Sequence, residues 1–382
     1  MAVFTKRSSG RWQARVRRHG WPEQSKTFRT MVDAEAWARA TEREMDIGAF
    51  IKRDDAERTT FSDAADRYRR EVLPSKRGKA QDEYVVRRVN EHFGRYSLAS
   101  ISGAMLSSYR DERLKAVSPQ TVVHELGMVS RIFKAASMDW GIALPQGNPT
   151  ALVRKPRLSN GRSRRLELGE EELLLAALAE CKSVWPRAAV ILATEMAARQ
   201  SELMSLTWEA VDLVRRVARI RGKDGGVTKS GDSHRDVPLT SRAVALLETL
   251  PRSIGGKVLP ISQNALQLSW ERALSRARTG HLHALLKQQL ETEGIDGAKE
   301  VRALVYKKRS PAPRSVELLA SLEKTDRMLV DLHFHDLRHE ATSRLAEKLQ
   351  MHELMKVTGH KSSSMLSRYY HPRAEDLASK LG

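Results

Sequence analysis

The chain has 382 residues, 41% of them hydrophobic, and a formal net charge of +19 from 66 Lys and Arg against 47 Asp and Glu. At roughly 100–200 residues per domain, that length predicts two or three domains. The excess is spread as +4 in residues 1–50, +7 in 51–160 and +8 in 161–382, so it is no basic tail on a neutral body. A folded surface this positive implies a polyanionic partner, with nucleic acid first. One cysteine, Cys181, excludes an intramolecular disulfide framework and a cysteine-based zinc finger. No run approaches the ~18 apolar residues of a membrane span, and the opening MAVFTKRSSGRW lacks the apolar core of a secretory signal. The expectation is a soluble, multidomain nucleic-acid-binding protein, cytosolic or nucleoid-associated.

In chain order, Trp12, Ala14 and Val16 alternate with Gln13, Arg15 and Arg17, the period of a half-buried strand. A turn at His19-Gly20-Trp21-Pro22 leads to a second run through Phe28, and Ala34, Trp37, Ala38, Thr41 and Met45 follow at helical spacing. Residues 1–57 therefore read as a ββα or βββα unit that can present Arg15 and Arg17 to DNA. Residues 58–150 read as four helices. The first is marked by Phe61, Ala64, Ala65 and Tyr68 with Ser62 as its cap, and two more cover 82–93 and 104–115. The fourth has Ser118 as cap, Pro119 in its first turn, and an apolar stripe of Val122, Leu126, Val129, Phe133 and Ala136. Arg87, Arg88 and Arg131 are the candidate DNA contacts of this four-helix segment. Residues 148–166, NPTALVRKPRLSNGRSRRL, carry six basic residues and no hydrophobic period. They read as a basic linker over 151–165 in which Arg154, Lys155 and Arg157 can meet DNA. Residues 166–382 then alternate helices, expected over 170–180 and 187–203, with a hairpin of 217–221 and 235–239.

The chemistry-bearing residues lie near the end. HFHDLRH (residues 333–339) places His335 and Arg338 on one face of a helix. In TGHKSSSMLSRYYHP (residues 358–372), His360 and Tyr369 are nine apart, a distance that a turn and a short helix can close. Arginine, two histidines and a tyrosine offer a phosphate grip, proton-transfer groups and an oxygen nucleophile. A metal reading is weaker: His339-Glu340 opens an HExxH pattern, but Ser343 stands where the second histidine belongs.

HxxR, then a Gly-His pair, then Tyr nine residues after that histidine resembles the signature of the tyrosine recombinase (phage integrase) family. The family's upstream half is matched by MAARQSELMSLTW (residues 196–208), giving Arg199 and Glu202, and its hairpin lysine by VTKSGDSHRDVPL (residues 227–239), giving Lys229. VRKPRLSNGRSRRL and HFHDLRHEATSR resemble the shufflon-type DNA invertases within the family. The resemblance implies a mainly α fold with small β elements. In it, an arm-binding-like domain, a four-helix core-site-binding domain and a mixed α+β catalytic domain follow in order. About fifty-five residues, 277–331, exceed the family pattern and read as an insertion that serves protein contact, DNA contact or decoration.

The family's chemistry is breakage and rejoining of DNA through a covalent 3′-phosphotyrosine and a Holliday junction. It implies Tyr369 as nucleophile in preference to Tyr370. Arg199 and Arg338 would grip the scissile phosphate, Lys229 would protonate the departing oxygen, and His335 would act as general acid/base. His360 would hydrogen-bond the phosphate, and Glu202 would orient the site. No cofactor or metal is expected. The implied partners are recombination sites in duplex DNA, three further copies of the chain in a tetramer on two such sites, and accessory DNA-bending proteins. The tail, residues 373–382, reads as a helix that docks on a neighbouring subunit or packs on its own domain. A type IB topoisomerase-like enzyme and a non-catalytic DNA-binding regulator are the rival readings.

Overall fold

The computed structural model describes residues 2–48, 54–76, 78–144, 146–159, 162, 164–222, 233–306 and 309–369. The chain divides into two compact units, Met1–Asn160 and Gly161–Gly382.

The first unit opens with an antiparallel sheet of β1 (Ala2–Lys6), β2 (Trp12–Val16) and β3 (Gln24–Phe28), in that spatial order. Ala14 and Val16 of β2 are fully buried beneath α1 (Met31–Asp46), which turns Ala34, Ala38, Thr41 and Met45 towards them. The three-stranded version of the expected unit is therefore the one present. The N-terminal strand escapes easy reading because only every other residue of it is even half-covered.

Next come a short α2 (Asp54–Arg58), α3 (Phe61–Glu71), α4 (Lys79–Phe93), α5 (Gly103–Arg113) and α6 (Pro119–Met138) around a second, separate core. Ser62 is not the cap of α3. Thr60 takes that place, its hydroxyl accepting from the Asp63 amide while Asp63 accepts in return from the Thr60 amide. This reciprocal pair satisfies two otherwise orphaned N–H groups, which a lone Ser62 cannot do. For α6, Ser118 caps, Pro119 occupies the first turn, and the apolar stripe is buried. One acid lies inside this core: Glu125 accepts from the Tyr109 hydroxyl at 2.8 Å and from Arg113 at 2.6 and 2.9 Å.

The second unit is built on α7 (Glu170–Ala179), α8 (Trp185–Met196), α9 (Gln200–Met204), the sheet β4 (Val211–Asp212), β5 (Val217–Ile220) and β6 (Arg235–Pro238), and α10 (Ser241–Thr249). It continues through α11 (Gln263–Thr292), α12 (Gly297–Tyr306), α13 (Pro313–Thr325), α14 (Asp336–Ala346), α15 (Met351–Thr358) and α16 (Ser363–Leu366). Nearly every residue of α8 is buried, because a helix apolar on all sides has to sit inside its domain. The expected single helix over 187–203 is in fact two, broken at Ala197, whose φ of 47° is left-handed. The extra segment is largely helical. Helix α11 runs unbroken across position 277, packing Leu266, Trp270, Ala273 and Ala277 into the main core. Its far half turns Leu282, Leu286 and Leu290 to Leu322 of α13, a smaller core of its own.

Removing Arg113 would leave the Glu125 carboxylate buried with its charge uncompensated, which costs about 3 kcal/mol. Arg113→Ala is expected to speed hydrogen exchange of the α5 and α6 amides in the full chain while leaving those of α8 unchanged.

Candidate active site

The break after α8 positions the first half of the site. With Ala197 left-handed, the chain turns extended at Arg199, which becomes the N-cap of α9. Glu202 then falls at the third position of that helix, where its carboxylate accepts from the Arg199 amide at 2.8 Å. It also accepts from the Arg199 guanidinium at 2.9 Å. An acid in the first turn is favoured there by the exposed N–H groups and the helix dipole.

Glu202 is only 3% exposed and holds more than Arg199. Period-two alternation on β6 turns Arg235 and Val237 inward, and the Arg235 fork closes on both Glu202 oxygens at 3.0 and 2.7 Å. The Arg235 Nε donates to the Val357 carbonyl at 2.9 Å. Arg338 approaches the same carboxylate at 3.8 Å. Three guanidinium groups around one carboxylate leave an excess of positive charge, the arrangement that receives a bound anion. Burial pushes the Glu202 carboxyl up, but the Arg235 contact outweighs this and holds it at about 2. Burial, with repulsion from Arg199 and Arg235, draws Arg338 down to about 9, so it remains a cation at neutral pH.

The second half is delivered by the segment before α14. Leu329 and Asp331 both have positive φ (61° and 52°), so this segment needs external support. Arg162 provides it: its guanidinium straddles the fully buried Asp336 at 2.7 and 2.8 Å and reaches the Asp331 carboxylate at 2.8 Å. Arg164 binds Glu170, which in turn accepts from the Leu329 amide at 2.5 Å. Thus Arg162 and Arg164, within the stretch read as a linker, are tied to the second unit.

Asp336 opens α14, placing His335 at its N-cap and Arg338 in its first turn. Arg338 donates to the carbonyls of Ala197 at 2.5 Å and Thr358 at 2.6 Å, stitching the two halves together. Helix α15 ends at left-handed Gly359 (φ 70°), which sends the chain back to present His360. The Thr358 hydroxyl spends its proton on the Leu354 carbonyl at 2.6 Å, so at the 2.7 Å contact with His360 the Nδ1–H is the donor. The His360 Nε2 is therefore a donor only when the ring is an imidazolium.

Tyr369 closes a short helical turn (Ser367–Tyr369) after α16. Its hydroxyl is hydrogen-bonded to Nδ1 of His339, with the rings stacked at 5.5 Å, and His339 meets His335 edge-on at 5.2 Å.

Hydrogen bonds and ion pairs thus link Arg199, Glu202, Arg338 and His360, ring contacts join His335 to Tyr369 through His339, and Tyr369 acts electrostatically on Arg338. Lys229, Tyr370, His371 and the tail 373–382 lie outside the described residues. Beside His360 lies an open cleft of about 660 Å³ lined by His234, Lys356 and Lys361 among others. Of the DNA-contact candidates, Arg15 and Arg17 pair with Glu23, Arg88 with Glu91, and Arg131 with Asp82 at 3.6 Å. Arg87 lies over the Tyr84 ring, and Arg154, Lys155 and Arg157 are exposed. Sequence reasoning missed Arg235, His339 and Arg162. Arg235 had a legible signal: an arginine in phase with Val237 and Leu239 on an inward strand face.

Residues 164–376 match the model of the phage integrase family. The chain belongs to this family. A shufflon-specific DNA recombinase of Escherichia coli is 32% identical over 333 residues, which span 84% of this chain and 71% of that one. A putative integrase/recombinase of Haemophilus influenzae is 28% identical over 394 residues, covering 100% and 91% of the two chains. Among solved structures, a lambda integrase dimer bound to a COC′ core site superimposes with a TM-score of 0.57 at 18% identity, covering 97% of this chain and 95% of the other. The Tn1549 transposon integrase with a circular intermediate DNA gives 0.56 at 17% identity, covering 85% and 99%. The fold is that of tyrosine recombinases, and this phage integrase family member is a tyrosine-type site-specific DNA recombinase. Among the described residues, no helix is long and apolar enough to cross a membrane. Nor do three or more His, Cys, Asp or Glu side chains gather as a metal site among them.

Glu202 has its pKa depressed in the folded state, so its contribution to stability is complete above an unfolded value of about 4.3 and is lost as pH falls through about 2. Glu202→Gln is expected to cost on the order of 3 kcal/mol at pH 7, because Arg235 is left buried without its counter-charge. In urea titrations the gap between the two proteins should narrow steadily between about pH 4.3 and pH 2. A gap that stayed constant across that window would show that Glu202 is not the group that titrates.

Proposed function

We propose that this recombinase cuts and rejoins duplex DNA through a covalent 3′-phosphotyrosine at Tyr369, with strands exchanged through a Holliday junction. The observation that carries the reading is the convergence of two deeply anchored arginines, two histidines and a tyrosine around a site of net positive charge. Arg199 and Arg338 bind the non-bridging oxygens of the scissile phosphate, where charge builds as the fifth ligand arrives. Arg338 acts from fixed carbonyl contacts, so its placement costs nothing at the moment of reaction. His360 hydrogen-bonds the phosphate, His335 serves in proton transfer, and Lys229 protonates the departing 5′-oxygen. Glu202 sets the arginines and takes no proton, in keeping with its lowered pKa. No cofactor is needed for rejoining, because the phosphotyrosine link retains the energy of the phosphodiester.

Recombination needs four cleavages, which supports a homotetramer on two DNA sites. A lambda integrase tetramer bound to a Holliday junction shares the fold, with a TM-score of 0.53. The reaction served is DNA inversion, in keeping with the shufflon-specific relative, or integration and excision, in keeping with the putative integrase/recombinase relatives. The candidate DNA contacts, Arg15, Arg17, Arg87, Arg88, Arg131, Arg154, Lys155 and Arg157, serve affinity by neutralising phosphates.

On a nicked suicide substrate the wild-type chain should accumulate a covalent protein–DNA adduct. Tyr369→Phe should form none while keeping DNA affinity within a few fold; an adduct with the Phe variant overturns the nucleophile assignment. Lys229→Ala should lose most of its cleavage rate on ordinary DNA and regain it on a substrate with a 5′-thio leaving group, which needs no protonation. Unrestored cleavage removes that role from Lys229.

A further inference from the structure

The reaction above requires that the Tyr369 phenol lose its proton, and a phenol with a pKa near 10 does not do so unaided at neutral pH. We infer that His339, the residue after the HxxR arginine, is the base that takes this proton and so replaces His335, its neighbour one turn earlier, as the acceptor in this step. The inference rests on the phosphotyrosine reading.

Three observations carry it. Tyr369 Oη and His339 Nδ1 are directly hydrogen-bonded, so the proton has a path without an intervening water. The two rings are stacked with 23° between their planes, and His339 is 8% exposed, which fixes the contact and shields it from solvent. Helix geometry then couples it to the rest of the site. His339 lies one turn beyond His335, their rings in edge contact, and next to Arg338 in the chain, so the first turn of α14 carries phosphate grip and base together. To accept at Nδ1 the neutral ring must hold its proton on Nε2.

In the cleavage step, the bond from Tyr369 Oη to phosphorus forms and the bond from phosphorus to the 5′-oxygen breaks. The phenolic proton passes to His339 Nδ1, and the departing 5′-oxygen collects a proton from Lys229. Rejoining reverses each transfer: the 5′-hydroxyl attacks and yields its proton to Lys229, while the leaving Tyr369 recovers its own from His339. No oxidant, metal or nucleotide enters the balance.

The test is the rate of adduct formation on the nicked substrate at saturating DNA. His339→Asn keeps a hydrogen-bonding atom near the Nδ1 position but cannot accept a proton at neutral pH; His339→Ala is the second variant. Each is expected to lose about 10²-fold or more in rate, with DNA affinity within about 3-fold of wild type. Each is then repeated with a fluorinated tyrosine of lower pKa placed at position 369. The more acidic phenol depends less on a base, so at least about a tenfold recovery relative to the same variant with ordinary tyrosine is expected. A rate within about 3-fold of wild type, or a loss that the fluorinated residue does not reduce, overturns the proposal. Should the wild-type chain form no adduct, or the Tyr369→Phe chain form one, the phosphotyrosine reading fails instead.

Discussion

The buried Glu202 carboxylate is the constraint on which the site depends. A carboxylate withdrawn from water survives as an anion only if cations surround it, and Arg199, Arg235 and Arg338 do so from three separate parts of the chain. Each arginine is thereby held with a direction. Arg235 is consumed by the fork and the Val357 carbonyl, whereas Arg199 and Arg338 keep part of their donor capacity, which the proposed chemistry directs at the phosphate. The acid that looks misplaced among these cations is what allows so many guanidinium groups to come together.

The same logic operates on the other side of α14. Asp336 has no exposure at all, and its partner Arg162 comes from just past the start of the second unit. The segment between the two positive-φ residues and His335 is thus braced by a residue about 170 positions earlier in the sequence. A basic residue in a stretch that reads as linker is here a strut for an N-cap histidine.

What the sequence made legible followed local rules. The stripe of α6 and its Ser118–Pro119 start were readable because capping and 3.6-residue periodicity act within one segment. Arg199, Glu202, His335, Arg338, His360 and Tyr369 were readable as a set because each sits in a short motif with its own spacing. What was missed needed a partner distant in sequence. Nothing near Arg162 announces Asp336, and nothing near His339 announces Tyr369. The break at Ala197 was hidden too, since MAARQSEL is good helix text by propensity and the kink is imposed by tertiary packing. Thr60 caps α3 in place of Ser62 because Asp63, three residues on, closes the reciprocal pair with it.

Helix α11 belongs to two cores at once, and at about 1.5 Å per residue its thirty residues span some 45 Å. The chain leaves the main core along this rod just after Ala277 and returns at Asp326, where Arg278 and His281 grip it. Exit and re-entry are therefore neighbours in space. What lies beyond that clasp can be lengthened or shortened while Arg278 and Asp326 still hold the two ends together, so the architecture carries a ready-made port for variation.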